Sequence, residues 1–481
     1  MRAPVEDGAR KAPMTGAGAG GEGAPREDAA TRVPVVARGA GVPAESVRGI
    51  ALAGGKGIRA RPLTLTTPDH VRSKAAMRLA GRSLVEWAVE LLRAQGVTDF
   101  RVAANGSENR CQTKDILGDG ARLGVSVRYS RPRFDHDNTG SGQATLRCLD
   151  HWDLNGLALI FPTDSIFDFD LAAMVRRHRA SGAAVTVATV PRSPAEAAGK
   201  YGVLVSGGGD GMVTRFAEKP GRELAERLAH GGELETNAGM YLVDCDALRM
   251  AARRPALAEL SRRRLDWGRD LLPYLISSGS RVASHPIARF GDLGSPEDFL
   301  RTMREVLRDE YPALSARMRP FRSHARGVRI HDSSLNLKDE VSGRSLAEKI
   351  RDGDVLIGPN VRVGRDVEIG PGVVLADSDV ADGVDIGEGA TLHGVACGEH
   401  GIIGPRARLA DTVLGAAVEI REAAVLEGFC ALGDEVSVHA GVRLHGVSVF
   451  PRLEIWSDAR VPRGACLVNP GDVLRWSHRV A

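Results

Sequence analysis

A chain of 481 residues, 43% hydrophobic and 26% charged, has room for about three structural units at roughly 150 residues each, which excludes a peptide hormone or a wholly disordered protein. Sixty-four basic residues against 61 acidic ones leave a net charge of +3, too balanced to argue for a nucleic-acid or membrane-surface partner, and no apolar run approaches the length of a membrane span. Six cysteines, at 111, 148, 245, 397, 430 and 466, form no CxxC pair and read as free thiols of a reducing compartment. With no apolar leader at the N-terminus, the expected location is cytoplasmic.

Residues 1–46 are rich in Gly, Ala, Pro and charge and read as a flexible tail. From Val47 the texture changes. VRGIALAGG is an apolar strand entering a glycine loop, and SLVEWAVELLRAQG has helical spacing through Leu84, Val85, Val89, Leu91 and Leu92. DFRVAAN and GLALIFPTD read as further strands, DLAAMVRRHRASG as a helix and AAVTVATV as a strand. This alternation predicts an α/β domain over 47–310 with a largely parallel sheet, whose ligands sit beyond the carboxyl ends of the strands. Residues 311–353 show no clear period and are read as a connector.

From 354 to 465 an aliphatic residue recurs every six positions, often followed by glycine. IGPNVR, VGRDVE, IGPGVV and LADSDV run from Ile357; after a slip of one residue IGEGAT and LHGVAC continue; IREAAV, LEGFCA, LGDEVS, VHAGVR and LHGVSV run from Ile420 to Val449. A hexad is too short to bury anything alone, so stacked turns must form the core: a parallel β-helix with the aliphatic residues inward. Residues 466–481 are expected to cap the last coil.

The sharpest local feature is LAGGKGIRARPLT, 52–64. Gly54, Gly55 and Gly57 free the backbone to present N–H groups to an anion, and Arg59 and Arg61 add charged donors suited to phosphate. The loop matches neither GxGxxG nor GxxxxGK[ST], which disfavours a P-loop kinase or ATPase. Only eight of the 64 basic residues are lysine. In so Arg-biased a chain, lysine points to sites where a compact ammonium is needed.

GGKGIRARPLT resembles the GGxGTRLxPLT signature of the NTP–sugar-1-phosphate nucleotidyltransferases, the NDP-sugar pyrophosphorylases. Further motifs occur in that family's order: Lys74 followed by AGRSLVEW, GSGQA at 140–144, FPTDSIF at 161–167, KYGV at 200–203, FAEKP at 216–220, NAGMYLVD at 237–244, WGRDLLP at 267–273 and FGDLGSPEDF at 290–299. The closest look is that of the mannose-1-phosphate guanylyltransferase-like group. Ile58 and Ala60 stand where the family has threonine and leucine, and SKAAMRL replaces PKPxLPV. The fold implied is a Rossmann-like, GT-A-like mixed-sheet domain followed by a left-handed β-helix. The reaction implied is attack of a sugar 1-phosphate on the α-phosphorus of an NTP, with release of pyrophosphate.

The resemblance also implies roles. Asp164 and Asp292 would hold Mg²⁺, Arg59 would grip the β- and γ-phosphates, and Lys74 would neutralise the α-phosphate. Lys219 would hold the sugar phosphate, with Glu218 and Asn237 on sugar hydroxyls and Gly202 lining the pocket. Ala53, Gly54, Gly55 and Gly57, with Gly140, Gly142 and Gln143, would meet the nucleotide. As plain structural alternatives, Asp164 or Asp292 would start a helix and Asn237 would serve a turn. GTP with mannose 1-phosphate is the favoured pair; ATP or dTTP with glucose 1-phosphate or a cyclitol phosphate is the alternative. Two further readings stand beside it: a weakly active regulatory homologue, and a second, acyltransferase activity using His393, His400, His439 or His445. A homo-oligomer associating through the β-helix, with neither nucleic acid nor membrane as partner, is expected.

Overall fold

The apolar run after residue 47 folds as β1 (Arg48–Ala53), with Ile50, Ala51 and Ala53 buried. It lies between β2 (Asp99–Ala104) and β4 (Leu157–Pro162) and is parallel to both; β3 (Ser126–Tyr129) extends this parallel set from β2. Strands covered on both faces are continuously apolar, as β1 beyond Arg48 and β4 are. This computed structural model describes residues 47–477 except 137, 208–210, 319–321, 324–326 and 340–341; the expected tail and the last four residues lie outside the described residues.

Beyond β4 the sheet changes polarity. β9 (Leu234–Asp244) pairs antiparallel with β4. With β6 (Val185–Arg192), β7 (Val203–Gly207), β8 (Met212–Ala217) and β10 (Val282–Pro286) it completes nine strands in the order β6-β10-β8-β7-β9-β4-β1-β2-β3. β6 also pairs with β9, closing five strands on themselves. The largely parallel sheet suggested by strand–helix alternation is therefore corrected: β1–β4 and the β6/β10 pair are parallel, and the rest is antiparallel. Apolar composition marks a strand as buried but carries no sign of its direction. The mixed sheet implied by the family resemblance is the one found.

A separate antiparallel pair joins β5 (Ser165–Asp168) to β11 (Arg289–Asp292), with Ser165 opposite Asp292. Five helices matter to the site: α1 (Leu84–Arg93), α2 (Ser107–Leu117), α3 (Ser141–His151), α4 (Leu171–Ser181) and α5 (Pro296–Leu307). α1 starts with a reciprocal cap between Ser83 and Glu86 and buries Leu84, Val85, Val89, Leu91 and Leu92, as its spacing predicts, together with Trp87 and Ala88.

The C-terminal part of the chain is a β-helix of short parallel strands. Its coils stack in steps of 17 or 18 residues: Arg362, Asp379 and Ala396 lie in register (17 each), as do Val425 and Arg443 (18). Three full hexads make 18, so the slip in the repeat is a corner shortened by one residue. Ile369, Leu375, Ile386, Leu392, Ile403, Leu409, Ile420 and Leu426 fill the core. The ladder starts earlier than the hexads do: within the aperiodic connector, Val328–Ile330 pairs parallel with Val361–Val363. At the other end, Cys466–Leu467 pairs with Ser448–Val449 before a short helix, Pro470–Leu474.

The β-helix packs on the sheet domain through polar ties. Arg72 pairs with Asp434, Arg304 with Asp411, and Arg78 with Glu399 at 3.0 Å, while the Ala80 N–H donates to Asp379 at 3.0 Å. All six cysteines are free thiols. Among the described residues, no helix is long and apolar enough to cross a membrane.

Candidate active site

β1 ends in the middle of the sheet and delivers residues 54–57 at its carboxyl edge. Gly54 and Gly55 are exposed. Gly57 adopts φ 62°, and its carbonyl accepts the Thr64 hydroxyl at 2.7 Å; an added Cβ would come within 2.8 Å of the Thr64 methyl. Glycine is therefore required at 57 by both conformation and space. The turn of 3-10 helix that follows, Ile58–Ala60, exposes Arg59. Its guanidinium reaches the FGDLG segment: a Cβ on Gly294 would stand 3.2 Å from Arg59 Nη2 and 2.9 Å from Asp292 Oδ1.

Asp164 and Asp292 come together through the β5/β11 ladder, because Asp164 immediately precedes Ser165, the residue opposite Asp292. Neither acid starts a helix. Asp164 is followed by β5, and the α4 cap is Asp170; the α5 cap is Ser295. Lys74 sits on a single helical turn, Lys74–Ala76, and its ammonium donates to Asp164 Oδ2 at 2.9 Å. The pair is part-buried, with side-chain exposures of 15% and 27%. Thus Arg59 with Asp292, and Lys74 with Asp164, occupy the ends of β1, β4 and β11.

Beside them is a cavity of about 260 Å³ bounded by Leu52, Tyr201, Gly202, Glu218, Lys219 and Asn237, near the lower end of small-molecule sites. Glu218 is pressed between two glycines. A Cβ on Gly202 would lie 3.0 Å, and one on Gly268 2.5 Å, from Glu218 Oε2. Burial pushes the Glu218 carboxyl above the usual carboxylate range, against the opposing charge of Lys219, whose ammonium is 3.9 Å away. Asn237 is engaged internally: its amide donates to the Tyr241 hydroxyl at 2.9 Å, and its carbonyl accepts the Gly239 N–H at 2.8 Å. It thus fixes the irregular stretch of β9 at Gly239, where the register with β6 shifts, and also lines the cavity.

GSGQA meets the site through a residue that sequence reasoning passed over. Gln143 is buried, its amide engaged by the Thr139 N–H and the Ser261 carbonyl. Gly140 and Gly142 permit close packing on the Leu265 carbonyl, 2.5 and 3.0 Å from their would-be Cβ atoms. Ser141 is the member that lines the cavity, donating to Asp266 at 2.8 Å. Asp266 in turn caps the turn Trp267–Leu271, and Trp267 stacks on Tyr241 with ring centres 4.2 Å apart. The WGRDLLP motif signalled this wall without saying what it did.

Two further residues went unassigned. Lys200 borders the cavity and holds Asp298 through both oxygens at 2.8 Å. Burial would raise the Asp298 carboxyl, but Lys200 and Arg301 outweigh it and hold it below its ordinary value. Tyr201 is 8% exposed; its phenol is pushed up by burial and by the charge of Asp292, and among the described residues its hydroxyl has no hydrogen-bond partner of normal geometry. The β-helix histidines sit elsewhere: His439 meets Glu454 at 2.6 Å, and His445 meets Arg463 at 2.7 Å.

A glycine loop at the end of a central strand, two acids at neighbouring strand ends and a lysine-bearing cavity fit an α/β enzyme with an anion-binding site. Comparison with known families is specific. The nucleotidyl transferase family model matches residues 48–309, more than half of the chain, and the GMPPB C-terminal domain model matches residues 347–464. The chain belongs to the nucleotidyl transferase family and is a nucleotidyltransferase. It is 28% identical over 348 residues to the mannose-1-phosphate guanylyltransferase of Mycobacterium tuberculosis, covering 72% of this chain and 83% of that one. Over 357 residues it is 27% identical to the UTP–glucose-1-phosphate uridylyltransferase of Synechocystis sp., covering 72% and 86%. The catalytic subunit beta of mannose-1-phosphate guanylyltransferase from Danio rerio is 26% identical over 273 residues, covering 57% and 68%.

Proposed function

We propose that this enzyme joins a nucleoside triphosphate to a sugar 1-phosphate, with GTP and mannose 1-phosphate as the favoured pair. A phosphate oxygen of the sugar forms the new bond to the α-phosphorus. The α–β anhydride bond breaks, and its electron pair leaves with pyrophosphate. The nucleophile is already anionic, so the task is to align two polyanions rather than to remove a proton. The observation that supports this most is the convergence of Arg59, Lys74, Asp164 and Asp292 at one sheet edge, beside the Glu218–Lys219 cavity.

In this reading the N–H groups of 54–57 and Arg59 receive the triphosphate. Lys74 lies against the α-phosphate, and Lys219 binds the sugar phosphate. Glu218 accepts a sugar hydroxyl. Asp164 and Asp292 suit Mg²⁺: Asp164 keeps one carboxylate oxygen free of Lys74, and Asp292, half-buried, has no hydrogen bond from a described residue. Two hard oxygen donors with substrate phosphates are what this ion takes, and it would supply charge neutralisation at the α-phosphate. The guanylyltransferase relatives and the GMPPB-type second domain favour GTP and mannose 1-phosphate. The uridylyltransferase relative keeps UTP with glucose 1-phosphate as the second reading. Asp164→Ala is expected to lower pyrophosphate release at least a hundredfold while circular dichroism stays that of the parent; near-parental turnover in the folded variant would refute the assignment.

A further inference from the structure

Lys74 has no regular element of its own beyond a single helical turn, so something else must fix it. On one side α2 does: Asn109 accepts the Ser73 hydroxyl at 2.7 Å, and Gln112 accepts the Ser73 N–H at 2.8 Å while donating to the Val71 carbonyl at 2.8 Å. On the other side the β-helix does. The Arg72 guanidinium forms a two-point ion pair with Asp434, and Arg72 Nη1 also donates to the Leu63 carbonyl at 3.2 Å. One side chain thus ties the end of the phosphate loop, the approach to Lys74 and a β-helix corner. Asp434 is itself fixed, 6% exposed, and accepts the Ala416 N–H at 3.0 Å. Beyond Lys74 the same segment is held again, by Arg78 on Glu399 and by the Ala80 N–H on Asp379.

We propose that the β-helix is part of the active-site architecture, with Asp434 acting through Arg72 as a positioning residue for Lys74. A charged fork on a rigid corner fixes direction as well as distance. Displacing a catalytic group by about 1 Å costs on the order of a hundredfold in rate. This inference rests on the nucleotidyltransferase reading for its kinetic consequence but not for its geometric one.

The test uses the full chain. Asp434→Asn keeps an oxygen for the Ala416 N–H and removes the charge facing Arg72; Arg72→Ala leaves the β-helix sequence untouched and serves if the first variant does not fold. Two readouts are taken: steady-state kinetics, and the rate at which an amine-reactive acetylating reagent labels Lys74, followed by mass spectrometry without substrate. The expected result is faster labelling of Lys74 by severalfold with Lys114 unchanged, and kcat lower by about 10- to 100-fold with the KM for sugar phosphate within twofold. Arg72→Lys, which keeps the charge but not the fork, should fall between. Arg406→Ala, which removes an exposed ion pair with Glu422 inside the β-helix, should change neither readout. Unchanged Lys74 labelling in both folded variants would overturn the proposal. Because labelling needs no turnover, a parent enzyme inactive on every substrate pair would sink the proposed reaction and still leave this inference decided.

Discussion

Lysine is scarce in this chain, and among the described residues four lysines stand beside a carboxylate. Lys74 meets Asp164, Lys200 meets Asp298, Lys219 meets Glu218, and the buried Lys349 meets Asp339 and the Ile369 carbonyl. The first three border the candidate site, where a compact ammonium acts as a point charge. Glu218 gives a pH prediction. Its raised pKa means that it protonates, and becomes a weaker acceptor for the sugar hydroxyl proposed to bind it, at a higher pH than an ordinary glutamate. The substrate phosphate itself titrates near pH 6, so the informative quantity is kcat/KM for the sugar phosphate in the parent relative to Glu218→Gln. That ratio should be large at neutral pH and fall on acidification; a ratio independent of pH would remove the role. Motif reading named Lys74, Asp164 and Glu218 but not which atoms of a motif face the cavity. Gln143 and Ser141 are two residues apart, yet the amide points into the protein and the hydroxyl lines the site. Such a choice depends on the Leu265 carbonyl, more than a hundred residues away.

Elements were legible where a period exists. The hexads marked the β-helix because each aliphatic residue has a stacked partner one coil on, and a coil of 17 residues accounts for the slip. The connector was opaque because Val328–Ile330 joins the ladder without a repeat around it. Sheet polarity was opaque too, since β9 and β4 are equally apolar whichever way they run. Core stacking carries a stability prediction. Leu409 is 2% exposed and sits between Leu392 and Leu426 in consecutive coils. Leu409→Ala should cost about 2–5 kcal/mol in denaturant unfolding of the transition that reports the β-helix. A loss well below 1 kcal/mol would mean that this coil does not bear the packing assigned to it.

At the scale of the molecule, the sheet domain carries the proposed active site and the β-helix holds two of its segments: the Lys74 segment through Asp434, Glu399 and Asp379, and α5, which follows Asp292, through Asp411 on Arg304. Under the proposals made above, a repeat domain appended to an enzyme shares in placing the residues assigned to the phosphates. The most direct test of the whole is to incubate the purified chain and Mg²⁺ with GTP and mannose 1-phosphate, then with ATP, UTP or dTTP and mannose or glucose 1-phosphate, following product mass and pyrophosphate together. The expected result is an NDP-sugar and an equal amount of pyrophosphate, fastest with GTP and mannose 1-phosphate, and lost in Asp164→Ala. A folded enzyme that yields no NDP-sugar from any of these pairs would contradict it.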